Sequence, residues 1–390
     1  MAWVALSPTI VSLLIWVVLT FFRGAFWQLR RFDDDLAPAQ NLTRWPRVAV
    51  IVPARNEAGT IARAVVSLVK QEYPGELRVV VVDDESHDGT GSLAQEAAAR
   101  LGASARIEII QAAALTPGWT GKLWALQQGL EKAKAAAPEY LWLTDADIEH
   151  APDTLRRLVG RMETGRLDLA SLMVLLQAKS FRERLLIPAF LYFFLKLYPP
   201  QWIADENAKT AGAAGGCILL KPDALERVGG LGAIRGEMID DCALARAVKR
   251  GGGAIWMGLT RKSVSVRAYG SFAEIRDLIA RTAFTQLGYS SLALIGTLLG
   301  MLITYVVPVV FTFVAQATAW RLGLAAWALM AVTYLPTVRF YGLSPLWAPL
   351  LPFAAVFYSY ATWLSAARYW LGTGGQWKGR AQAPSRETAR

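Results

Sequence analysis

Apolar positions follow two patterns along this chain. At the ends they form long runs without charge. Met1 to Phe22 carries no charged side chain, and Arg23, Arg30 and Arg31 follow at once. Thr282–Trp320, Leu322–Val338 and Phe340–Ala367 are equally free of charge, with Arg321 and Arg339 between them. A membrane-spanning helix needs about 20 apolar residues. The pattern therefore predicts an N-terminal anchor over 1–22 and a juxtamembrane linker over 23–44. It also predicts three hydrophobic helices near 291–317, 322–338 and 346–367, within a membrane-associated region spanning 286–371, and a basic tail over 372–390. The middle helix reads as short. A fourth apolar stretch, Leu185–Tyr198, is too short to span and reads as either an interfacial or a buried helix.

Between the ends, over 45–285, short apolar runs alternate with helical patterns. Strands are expected at 47–52, 77–82, 106–110 and 140–143, and helices at about 60–71, 89–101 and 122–137. Continuous apolar strands between helices indicate an α/β domain with a mostly parallel sheet covered on both faces.

The positive charge behind the first apolar run argues for an uncleaved anchor whose C-terminal side is cytoplasmic. The middle domain would then be cytoplasmic, at a bacterial inner membrane. Three further spans would place the C-terminus outside, whereas the tail residues Arg368, Lys378, Arg380, Arg386 and Arg390 favour inside. An even number of true C-terminal spans would reconcile the two.

Composition supports a mixed soluble and membrane chain, with 390 residues, 54% hydrophobic, 15 Trp and a mean hydropathy of +0.30. The net charge of +10 beside apolar spans reads as a lipid and topology signal rather than as nucleic-acid binding. Two cysteines and two histidines provide neither a disulfide framework nor a multi-histidine zinc site. Cys217 and Cys242 read as small packed residues, and His87 and His150 as loop residues.

The chemistry concentrates at strand ends. The first, second and fourth strands run into Pro53-Ala54-Arg55-Asn56-Glu57, Asp83-Asp84-Glu85-Ser86 and Asp145-Ala146-Asp147. Open α/β sheets bind ligands beyond the carboxyl ends of their strands. Asp145 and Asp147, one residue apart, can both reach one divalent cation, and such a cation can hold a diphosphate. Glycine-rich phosphate loops are missing: Gly118-Trp119-Thr120-Gly121-Lys122 lacks both the P-loop spacing and the hydroxyl after the lysine. These acids would equally serve as helix caps or as first-turn acids favoured by the helix dipole.

In order and spacing, Pro53–Glu57, Asp83–Thr90, Gly121-Lys122 and Thr144–Asp147 resemble family 2 glycosyltransferases of the GT-A fold. With its apolar ends, the chain is most similar to the hopanoid-biosynthesis-associated membrane glycosyltransferases of bacteria. The resemblance implies a nucleotide-sugar donor, a UDP-sugar first, and inverting transfer to a hydroxyl of a membrane lipid. It implies that Asp84 or Asp83 binds the base, that Pro53, Arg55 and Glu57 line the nucleoside pocket, and that Lys122 sits near the donor. Asp145 and Asp147 would hold Mg²⁺ or Mn²⁺, with Asp147 the favoured direct ligand. Asp241 in Met238–Leu244 would be the base, with Asp240 in the place often held by Glu. Gly215 and Gly216 would let acceptor and donor approach the backbone. The processive Gln-x-x-Arg-Trp motif is missing from Arg281–Leu287, which favours a single transfer, and Arg281 is expected to face the diphosphate. Other readings are a nucleotidyltransferase, which would release pyrophosphate, and a non-catalytic membrane scaffold or transporter.

Overall fold

The computed structural model describes residues 2–36, 42–316, 318–374, 376–377 and 380–381. Part of the expected linker (37–41) and most of the expected basic tail (375, 378–379 and 382–390) lie outside the described residues. The chain divides into two compact units, one of Met1–Arg31, Gln177–Gln201 and Tyr269–Gly375, the other of Phe32–Leu176, Trp202–Ala268 and Gln376–Arg390.

The second unit is an α/β domain built on one eight-stranded sheet. Its strands are β1 (Val48–Ala54), β2 (Leu77–Asp83), β3 (Ile107–Gln111), β4 (Tyr140–Leu143), β5 (Ile148–His150), β6 (Leu169–Leu175), β7 (Ile218–Leu220) and β8 (Ile255–Ser265). Their order is β3-β2-β1-β4-β7-β6-β8-β5. The β3-β2-β1-β4 half is parallel, the direction reverses at β7, and β6 pairs β8 in parallel. All seven residues of β1 are buried, as expected of a strand covered on both faces. The helix Gly121–Ala133 lies directly on this half of the sheet: a Cβ on Gly129 would come within 2.5 Å of Ile51 Cγ2 and 3.0 Å of Val82 Cγ2. Only glycine permits so close a helix-to-sheet approach at that point. The apolar core runs from Val48, Val50 and Val52 through Trp142 to Leu155, Leu172 and Leu219.

The first unit gathers the apolar helices. Ser291–Val314, Thr318–Phe340 and Pro345–Trp370 are each long and apolar enough to cross a membrane, whereas the N-terminal apolar stretch Leu6–Phe21 is shorter. The middle helix is not short. It runs for 23 residues because Arg321 and Arg339 continue the helix rather than ending it, which gives a rod of about 35 Å. The first of the three contains a π-helical turn, Leu302–Val306, just before Pro308. Leu292 and Phe313 on it are 80% and 73% exposed, so large apolar side chains face outward.

Polar contacts tie these helices together. Trp16 Nε1 donates to the Thr304 carbonyl at 2.8 Å, and the Tyr192 and Thr333 hydroxyls meet at 2.8 Å. Such bonds hold helices that have little hydrophobic reason to associate in lipid. The stretch expected at Leu185–Tyr198 is the helix Phe181–Leu197, opened by a Ser180/Glu183 capping box. Leu186, Ile187, Tyr192 and Leu195 are buried, and Tyr358 donates to the Leu186 carbonyl at 3.1 Å. Most of its middle is thus packed inside this unit, while Phe181 and Leu197 at its ends are exposed.

Candidate active site

The exits of β1 and β2 form one laced pair of loops. Asp84 N–H donates to the Ala54 carbonyl at 2.8 Å, continuing the parallel register one residue past the sheet. Arg55 folds over this exit, donating from Nη1 to the Asp84 carbonyl and standing 3.6 Å from Asp84 Oδ2. Asn56 and Glu85 adopt left-handed backbone, at φ 51° and 52°. Their loops are stitched together by Asn56 N–H to Ser86 Oγ (3.0 Å), His87 N–H to Asn56 Oδ1 (3.0 Å) and Glu57 N–H to Thr90 Oγ1 (2.8 Å). Asp83 accepts from Ser86 N–H and Gln111 Nε2, and Asp84 is fully buried. Both base-binding candidates therefore also hold the loops in place.

The fourth strand exit gathers the charges. Lys122 stands in the first turn of the helix Gly121–Ala133, which is capped by Thr120. Its Nζ lies 2.9 Å from Asp145 Oδ1 and 3.4 Å from Asp240 Oδ2. The acids Asp145, Asp240 and Asp241 hold its pKa above the ordinary lysine value even though burial opposes this. Asp240 and Asp241 open the helix Asp240–Arg250, where the helix dipole favours acids. Asp241 accepts Gly215 N–H at Oδ2 (2.9 Å) and Cys242 N–H at Oδ1 (2.7 Å). Burial and the neighbouring charge of Asp240 push its carboxyl up to about 6, with Lys122 pulling the other way. Pro53, Lys122, Asp145, Gly215, Asp240 and Asp241 line a single cleft. Candidates separated by up to 188 positions in the sequence are thus brought together.

Asp147 faces a different partner. Arg267 Nε donates to its Oδ2 at 2.9 Å, and Arg267 Nη2 donates to Glu57 Oε1 at 2.6 Å. Burial and the charge of Asp145 raise the Asp147 pKa above the ordinary carboxylate value, while Arg267 counters them. Nothing in the linear sequence singles out Arg267. It reaches Asp147 because β8 pairs antiparallel with β5, Ile148 opposite Ser265, and Val266 N–H donates to the Asp147 carbonyl at 2.8 Å.

His150, expected in a loop, is instead a buried residue of β5. Thr144 donates to the Gly216 carbonyl at 2.8 Å, so the 2.8 Å contact between Thr144 Oγ1 and His150 Nε2 is a donation from the ring. Nδ1 then accepts from Ser263 Oγ at 2.8 Å. This chain fixes the residue preceding Asp145 to the glycine segment. Gly216 is packed against Val174, with an added Cβ 3.0 Å from Val174 Cγ2. Arg281 belongs to the other compact unit, at the C-cap of the helix Phe272–Ala280.

Asp145 and Asp147 offer hard carboxylate oxygens suited to Mg²⁺ or Mn²⁺. Among the described residues, no group of three or more His, Cys, Asp or Glu side chains gathers as a ready metal cage. Two carboxylates completed by substrate phosphates and water are what such cations commonly use. The residues fit the group on that basis.

Residues 49–229 match the family model described as Glycosyl transferase family 2. The polyprenol monophosphomannose synthase of Mycolicibacterium smegmatis is 33% identical over 124 residues, 32% of this chain and 43% of that protein. The beta-monoglucosyldiacylglycerol synthase of Trichormus variabilis is 32% identical over 115 residues, 29% of this chain and 23% of that protein. The matched segments thus span less than half the length of these curated relatives. The structure of the mannosyltransferase PcManGT from Pyrobaculum calidifontis in complex with GDP-Man and Mn2+ shares the fold. The TM-score is 0.53 at 19% identity, over 90% of this chain and 99% of that one. The chain therefore has a GT-A-like α/β fold in which a segment somewhat under half the chain is similar to glycosyl transferase family 2, together with three helices long and apolar enough to span a membrane.

Proposed function

We propose that this chain is a membrane-bound, metal-dependent, inverting glycosyltransferase. It moves a sugar from a nucleotide sugar, a UDP-sugar first, to a hydroxyl of a membrane lipid, a hopanoid first. The observation that carries the proposal is that Lys122 bridges Asp145 and Asp240 inside one cleft, beside Asp241. A donor-side acid and a candidate base thus share one space.

Asp241 takes the proton of the acceptor hydroxyl. The hydroxyl oxygen bonds to the anomeric carbon as the bond to the donor's diphosphate breaks on the opposite face, and the nucleoside diphosphate leaves. A carboxyl raised to about 6 is ionised at neutral pH yet more basic than an ordinary aspartate, which suits a general base. Its bonds from Gly215 and Cys242 N–H fix its aim. Asp145 and Asp147 would hold a divalent cation, which when bound supplies positive charge to the departing diphosphate. Arg55, Glu57 and the Asp83-Asp84 pair would form the nucleoside side of the pocket, with Pro53 at the cleft wall. Gly215 and Gly216 lie on the acceptor side.

The lipid acceptor is supported by the three spanning-type helices and by relatives named for a polyprenol and a diacylglycerol product. The cytoplasmic face of a bacterial inner membrane is the proposed location. Asp147→Ala and Asp241→Asn should each abolish transfer while the protein still inserts and folds. Full activity in both variants would overturn the proposal.

A further inference from the structure

Arg267 sits two residues past β8 and reaches acids on two separate strand-exit loops. Its Nε donates to Asp147 Oδ2 at 2.9 Å and its Nη2 to Glu57 Oε1 at 2.6 Å. Ser265 Oγ adds a 3.3 Å bond to the same Asp147 oxygen and a 3.3 Å bond from Arg267 N–H. The Glu57 and Asp147 side chains are only 12% and 15% exposed, so the guanidinium supplies the positive charge these largely buried acids require. Asp145 on the same turn is served separately, by Lys122. The turn therefore already carries a protein cation at each carboxylate.

Resting on the metal assignment proposed above, we propose that Arg267 is a positioning residue that holds Asp147 and Glu57 in register and competes with a divalent cation for Asp147. The guanidinium already occupies Oδ2 of the carboxylate that the cation would use. Two positive charges drawn to one carboxylate repel each other, so both cannot hold it at full strength. The geometry of the fork, one arm on each acid, gives Arg267 a fixed place to withdraw to, namely Glu57.

Manganese binding to the full-length protein in detergent, without nucleotide and followed by electron paramagnetic resonance, tests this apart from catalysis. Arg267→Gln should bind Mn²⁺ at least about fivefold more tightly than the native protein, since removing the competing charge favours the metal. Arg267→Lys, which keeps the charge but loses the fork, should bind about twofold more tightly. A merely structural loss would loosen Asp147 and weaken binding instead. Asp147→Asn should remove the site in every background. If Asp147→Asn abolishes native binding but the Gln and Lys variants bind no more tightly than native, the competition is overturned and the metal assignment stands. If neither native nor Arg267→Gln protein shows Asp147-dependent binding even when UDP is then added, the metal assignment itself falls, and the inference with it.

Discussion

The carboxylate of Asp241 accepts the backbone N–H of Gly215 at 2.9 Å. The candidate base is thus tied to the glycine segment rather than standing free at its helix start. A Cβ added to Gly215 would lie 3.2 Å from Lys122 Nζ and 3.4 Å from Asp241 Oδ2. Lys122 is flexible enough to yield, so Gly215→Ala should fold normally but lose about tenfold in kcat as its charged neighbours shift. Unchanged kcat at unchanged thermal stability would show that the close approach does not matter.

The raised carboxyl of Asp241 sets a pH limb. Below about 6 it is protonated and cannot accept the acceptor's proton. The rate should fall about tenfold per pH unit on the acid side and level off above 6. Asp241→Asn should lose at least on the order of 10²–10⁴ in rate, down to background, and any trace that remains should show no such limb. Steady-state rates from pH 4.5 to 8 check both statements.

His150 predicts a stability change of the opposite sign to that of a paired histidine. Burial pushes its ring down to about 3. In the unfolded chain it titrates near 6.5, so between these values the unfolded state holds one more proton. Stability should decline as pH falls through that window, by up to about 1.4 kcal/mol per unit. His150→Gln should show a shallower decline, measured as the pH dependence of denaturant unfolding relative to the native protein.

Lys122 neutralises a crowded set of acids. Its side chain and that of Asp240 are each 20% exposed, so removing the ammonium leaves charges with limited access to water. Lys122→Met should lower stability by about 1–3 kcal/mol. Lys122→Arg should recover part of this. A Met variant as stable as native in thermal unfolding would show that the acids are adequately solvated without the lysine.

Strands β1 to β4 were legible because each is a short apolar run bounded by helical patterns. The other strands were not. Ile148–His150 and Ile218–Leu220 have three residues each, too few to show a period. Ile255–Ser265 carries Arg261 and Lys262 in its second half, which hides its apolar alternation. The site was legible where acids cluster in sequence, at Asp83-Asp84, Asp145–Asp147 and Asp240-Asp241. Arg267 was not, since its importance comes from the β5–β8 register that joins it to Asp147 across 120 positions. His150 was misplaced for the same reason: its partners Thr144 and Ser263 become neighbours only when those strands pair.

The most direct test reconstitutes the full chain in bacterial lipid vesicles with UDP-sugars labelled in the sugar, then measures label in the extracted lipid and the phosphate product released. Transfer to a lipid hydroxyl predicts labelled lipid and nucleoside diphosphate formed one for one, with both products lost in Asp241→Asn. Release of pyrophosphate, or label appearing only in water-soluble products, would contradict it.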